Sequence, residues 1–142
     1  MNFKRLISVL ITLALFLVTG CSMGSEYEKQ NIIVQKRIEK ENKYEDSKKI
    51  TNNKHVKEVK RILKETNWKS AQVDFFRPAD YQFSFQFENP DIESKTVIYS
   101  VWNHSKKDIL QISTQGGEYT QLTKEESSIL FEIISGEKMD DF

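Results

Sequence analysis

The chain divides by its hydrophobic rhythm. Residues 6–18 form an apolar run in which only Ser8 and Thr12 are polar. Residues 22–52 then lose almost all apolar character, with Ile32-Ile33-Val34 as one cluster among Glu, Lys, Asn, Gln and Ser. Too little apolar surface is present there to offset the entropy of ordering it, so a flexible tether is predicted. Over 53–66, Val56, Val59, Ile62 and Leu63 recur at spacings of three and four, the stripe of an amphipathic helix with Asn53 as its N-cap. From Trp68 onward the period falls to two. Residues 71–75 alternate, and Tyr81-Gln82-Phe83-Ser84-Phe85-Gln86-Phe87 alternates without a break. Arg77-Pro78-Ala79-Asp80 and Glu88-Asn89-Pro90-Asp91 supply turns around it. A long strand is predicted over 95–103, another over 108–114, and a short one over 119–122 after the turn at Gly116-Gly117. Thr123-Lys124-Glu125-Glu126 opens a second helix over 124–135 with a capping-box pattern, Gly136 stops it, and Ile129, Leu130, Ile133 and Ile134 make its apolar face.

Helix, then four or five antiparallel strands, then helix is the order of an α+β two-layer sandwich with both helices on one sheet face. The expected core is Phe83, Phe85, Phe87, Val97, Tyr99, Val101, Leu110 and Ile112 under the two helices. Charge favours the helices lying side by side. Residues 53–67 carry five basic and two acidic side chains, against two basic and six acidic over 124–142. Lys54, Lys57, Lys60, Arg61 and Lys64 invite a membrane-surface reading of the first helix. Its narrow stripe without aromatic residues favours a solvated face on a core-packed helix instead.

The N-terminus changes the picture more than composition does. Lys4 and Arg5 precede the apolar run, and Thr19-Gly20 places small residues before Cys21. Basic, apolar, then small is the layout of a signal peptide, and the run is shorter than the roughly 20 residues a spanning helix needs. Val18-Thr19-Gly20-Cys21 resembles the lipobox of bacterial lipoproteins. That resemblance implies cleavage between Gly20 and Cys21, with Val18, Thr19 and Gly20 read by the peptidase. It also implies a diacylglycerol on the Cys21 sulfur and N-acylation as a further modification of that residue. Two acyl chains make an attachment lasting where one is marginal. The competing reading is an ordinary secretory signal beside a coincidental cysteine. The expected organisation is thus a signal peptide at 1–20, a lipidated cysteine and flexible charged tether at 21–52, and one α+β domain at 53–142. The expected location is the outer face of the cell membrane.

Composition then narrows the function classes. The 142 residues balance 21 basic against 21 acidic side chains, and Lys4 and Arg5 leave with the signal. A net charge so near zero gives no support for nucleic-acid binding. Cys21 is the single cysteine, so no disulfide or redox pair is available. His55 and His104 are isolated from each other, and no paired-cysteine, HExxH, GxSxG, phosphate-loop or dinucleotide-loop pattern occurs. His104 beside Ser105 is better explained by the polarity of a hairpin turn. No catalytic residue, metal site or cofactor is expected, and the chain is not expected to be an enzyme.

What remains is a surface. If the phenylalanine face is packed, the opposite face presents Gln82, Ser84, Gln86, Ile98, Ser100, Trp102, Gln111 and Ser113. A flat, mostly uncharged face with one Trp suits partner binding, although an antiparallel sheet with one solvated face carries the same pattern without a partner.

The lipobox ending at Cys21, the charged tether, and a domain over 55–135 carrying Val56-Lys57-Glu58-Val59, Asp80-Tyr81-Gln82-Phe83, Val101-Trp102 and Leu122-Thr123-Lys124-Glu125 together resemble the YhfM-like family of small Bacillus-type surface lipoproteins. The resemblance implies location and fold and brings no assigned activity. The expectation is a non-enzymatic binding or accessory lipoprotein that engages another envelope protein through its exposed sheet face. The alternative is a small-ligand or peptide sensor with a pocket between sheet and helices.

Overall fold

Tyr81–Phe87 alternates ring and polar side chain, and the sheet is laid out around it. The computed structural model describes residues 29–70, 73–104 and 108–139. In chain order the elements are β1 (Gln30–Ile38), β2 (Lys43–Ile50), α1 (Asn53–Glu65), β3 (Lys69–Ser70), β4 (Tyr81–Phe87), β5 (Tyr99–His104), β6 (Ile109–Thr114), β7 (Glu118–Gln121) and α2 (Lys124–Ser135). The strands form one seven-stranded sheet in the order β2-β1-β4-β5-β6-β7-β3, with antiparallel pairing throughout.

The four- or five-stranded sandwich expected from the pattern is therefore corrected to a wider sheet, still of α+β class. The extra strands come from residues 30–50, expected to lie in the tether. Ile32 sits between Phe85 and Ile50, and Val34 between Phe83 and Lys48, so β1 is a central strand with both side chains sealed in the core. β2 is an edge strand whose residues are exposed except Tyr44 and Ile50, which is why its composition resembles a linker. Asn42 turns the chain between them at φ 50, a left-handed conformation that Asn tolerates well. A bulge at Ser47, opposite the Val34–Gln35 step, re-aims the pair, and the Ser47 hydroxyl donates to the Val34 carbonyl at 3.2 Å.

Two further expectations shift. The strand expected over 71–75 is limited to Lys69–Ser70 on the far edge against β7, residues 73–75 are not in a strand, and 71–72 lie outside the described residues. The strand expected over 95–103 begins only at Tyr99. Val97, expected in the core, is 42% exposed. Phe83, Val101, Leu110 and Ile112 are buried as the alternation requires, while Phe85 and Tyr99 are partly buried against them.

Both helices stand close to where their patterns placed them. The N-cap of α1 is Asn52 rather than Asn53, its side chain accepting from the Lys54 amide at 2.9 Å. Val56, Val59, Ile62 and Leu63 go into the core, and the Trp68 indole donates to the Leu63 carbonyl at 2.8 Å, closing the end of the helix. The α2 capping box is complete between Thr123 and Glu126, and Gly136 takes the left-handed cap at φ 81. Leu130, Phe131, Ile133 and Ile134 are its buried side chains, with Ile129 at the margin. Ser127, wholly buried, accepts the Leu110 amide at 2.8 Å, which ties α2 to β6 where the ladder with β7 leaves that donor. Residues of one sheet face and of both helices share this single core.

Candidate binding face of the sheet

Alternation sends every second side chain away from the helices. Register brings them into rows: Ile33 lies opposite Ser84, Gln35 opposite Gln82, Gln82 opposite Ser100, and Trp102 opposite Gln111. Six of the seven candidate residues thus share the outer face on strands, and Ile98 joins them from the segment before β5. The structure divides this face into an open half and a covered half.

The open half is a groove of about 370 Å³ over β1 and β4, whose lining includes Gln82, Ser84, Gln86 and Ile98 together with Ile33 and Thr96. Four candidates therefore meet at one place. At its rim Gln35 donates to Asp46 at 2.8 Å, and Gln82 donates to the Ser100 hydroxyl at 3.4 Å. Ile33, Gln35 and Asp46 are additions that sequence reasoning missed, because it placed them in the tether. The signal was there in Ile32 and Val34, two residues apart and bracketed by polar neighbours.

The covered half holds Trp102. Instead of presenting an exposed indole, the chain buries it to 8% exposure beneath the segment before β4. Phe75 stacks on it face to face, and the indole nitrogen donates to the Arg77 carbonyl at 2.9 Å. Arg77 in turn donates to Asp80 at 2.8 Å and to the Asn103 carbonyl at 2.9 Å, while Asp80 accepts the Asn103 amide at 2.7 Å. The bond it donates to Asp80 raises the affinity of Arg77 for its proton still further. Tyr44 reaches the same corner and donates to the Ala79 carbonyl at 2.9 Å, its phenol pushed up chiefly by burial. The expectation that Trp102 anchors a partner is corrected: it anchors its own loop. Phe76, next to Phe75, is fully exposed at the tip of that loop.

Gln111 is also engaged. Its amide donates to the Tyr119 hydroxyl at 2.8 Å, and its oxygen lies 2.5 Å from His104 Nε2, a pair in which the ring nitrogen must donate. His104 thus ends β5 in a side-chain network rather than sitting in a turn, and Ser105 lies outside the described residues. Val18, Thr19, Gly20 and Cys21 lie outside them as well. Among the described residues, no three His, Asp or Glu side chains gather in a way that could hold a metal ion, and no helix is long and apolar enough to cross a membrane.

A second groove, of about 580 Å³, runs between the helices past His55, Glu58, Ile129 and Ile133. Lys48 crosses its floor to donate to the Ile133 carbonyl at 3.1 Å.

No curated protein and no solved structure matches the chain. The family model described as YhfM protein matches residues 25–140, most of its length, and the chain belongs to that family.

Proposed function

We propose that this YhfM-family protein is a lipid-anchored, extracytoplasmic binding module without catalytic activity, which receives an envelope protein on the open half of its sheet face. The observation that carries this is the groove over β1 and β4, where Gln82, Ser84, Gln86 and Ile98 line one recess. Apart from Asp46, which is already bonded to Gln35, its polar lining is uncharged amides and hydroxyls that can exchange water for a partner's polar groups without the cost of stripping a full charge.

Anchoring through Cys21 fits the position of that groove. Lys29 follows Cys21 by eight residues, so the chain between them spans at most about 29 Å. Asn31 lies opposite Gln86, so the groove begins beside the start of β1, the first described strand after Cys21. A domain held so close to the lipid suits a partner that is itself at the membrane, and the long reach expected of a tether through residue 52 no longer applies.

The test is photocrosslinking in cells from positions 84 and 86, with position 55 between the helices as comparison. A single membrane protein captured from 84 and 86, and lost with Cys21→Ala, supports the reading. Capture from position 55 alone would overturn it in favour of a ligand-sensing groove between the helices.

A further inference from the structure

β4 is paired along its whole length on one side and along less than half of it on the other. β1 covers Tyr81 to Phe87, whereas β5 covers only Tyr81, Gln82 and Phe83. In an antiparallel ladder successive residues direct their backbone N–H and C=O to alternate sides. The Glu88 amide bonds the Lys29 carbonyl, in register with the Asn31–Gln86 and Ile33–Ser84 pairs, so the even-numbered residues of this strand face β1. Phe85 and Phe87 therefore direct their backbone groups the other way, into the space left where β5 begins at Tyr99. Among the described residues, neither has a ladder partner on that side. The groove with Ser84, Gln86, Thr96 and Ile98 on its walls lies along this gap.

We propose that the gap is a strand-addition site, and that its occupant is an extended segment of a partner protein that pairs antiparallel with β4 beside Phe85 and Phe87. This rests on the outer-face reading above and says how that face is used. Two donors and two acceptors at a two-residue spacing are satisfied together by another extended backbone, and by little else. The side chains of the incoming strand follow from the alternation. A residue opposite Phe85 points to the core side, where the Phe85 ring stands edge-on to Phe83 and Tyr99 and is only partly buried, so an apolar side chain is selected. Residues opposite Ser84 and Gln86 point to the outer face, so polar side chains are selected.

Thr96 and Val97 carry the same pattern, since continuing the β4–β5 register would set Val97 opposite Phe85 and Thr96 opposite Gln86. They instead leave the sheet, with Val97 exposed. An incoming strand takes the place this segment vacates, and drawing the segment back would shut the site.

The test uses the full chain in detergent with Cys21→Ser, and a synthetic heptapeptide with the sequence of residues 95–101 as the probe. Amide hydrogen exchange is read residue by residue. In the free protein, Phe85 and Phe87 should exchange at least about tenfold faster than Ser84 and Gln86, and the peptide should slow them by at least about tenfold. A Gln86→Cys/Thr96→Cys disulfide, which pins the vacated segment onto β4, should abolish that effect, and reduction should restore it. Phe85 and Phe87 already as slow as Gln86 in the free protein, or unaltered by bound peptide, would overturn the proposal. So would a peptide effect that survives the disulfide. Crosslinking from positions 84 and 86 that persists while exchange at Phe85 and Phe87 is unaffected would sink strand addition and leave the binding face standing.

Discussion

Phe75 lies flat on Trp102, ring centroids 3.5 Å apart and planes 6° from parallel. Phe75 belongs to no strand, and Trp102 belongs to the outer face of β5. Their contact fastens the loop before β4 across the sheet and takes the tryptophan of that face out of solvent.

Removing the cover should uncover the indole. Phe75→Ala is expected to lower unfolding free energy by roughly 2 kcal/mol, about half the cost of a fully buried Phe, because Phe75 is itself only half-buried. In a Trp68→Phe background, Trp102 emission should shift to the red and become accessible to acrylamide. Unaltered quenching would mean that the loop stays over Trp102 without Phe75, held by its hydrogen bonds.

Ile32 separates a strand from a tether. It is completely buried between β2 and β4, so Ile32→Ala should cost about 2–4 kcal/mol in denaturant unfolding. In a flexible linker the same change would be silent, and a midpoint unaltered within error would remove β1 from the sheet.

Asp80 is the joint of the loop corner. Its carboxylate accepts from Arg77 and from the Asn103 amide, and Arg37 stands 3.9 Å away. Asp80→Ala leaves the part-buried Asn103 amide without its acceptor and removes the carboxylate from the exposed Arg77 guanidinium, for a loss of about 1–3 kcal/mol. Asp80→Asn, which keeps an oxygen for the Asn103 amide, should lose less. Equal losses in the two variants would show that charge rather than hydrogen bonding holds the corner.

Alkaline pH should act through buried phenols. Burial pushes Tyr81, Tyr99 and Tyr44 above the ordinary tyrosine range, with Glu137 and Asp80 adding to it at Tyr81 and Glu118 at Tyr99. The folded protein then holds these protons more tightly than the unfolded chain. Stability from this source is complete below about pH 10, where unfolded tyrosine titrates, and falls as pH rises beyond it. Tyr81→Phe with Tyr99→Phe should flatten the decline in melting temperature between about pH 9.5 and 11. The same slope in wild type and variant would place the alkaline loss elsewhere.

Local pattern determined what depends on near neighbours. The stripe of Val56, Val59, Ile62 and Leu63, the capping box at Thr123 and Glu126, the Gly136 stop and the alternation of β4 could all be read along the chain, since each is settled within a few residues. So could the sharing of one face by Gln82, Ser84, Gln86, Ser100 and Gln111. Tertiary structure decided the rest. β2 has almost no buried side chain of its own and exists because β1 supplies its hydrogen-bond partners. Val97 has the right residue type for a strand, yet pairing with β4 stops two residues after it, at Tyr99. Trp102 carries the sequence signature of a binding anchor, and only the path of a loop about 25 residues earlier reveals that the ring is already covered. Hydrophobic periodicity reports which side of an element is apolar. What lies against that side, and which backbone groups remain unpaired, depends on segments far away in the chain.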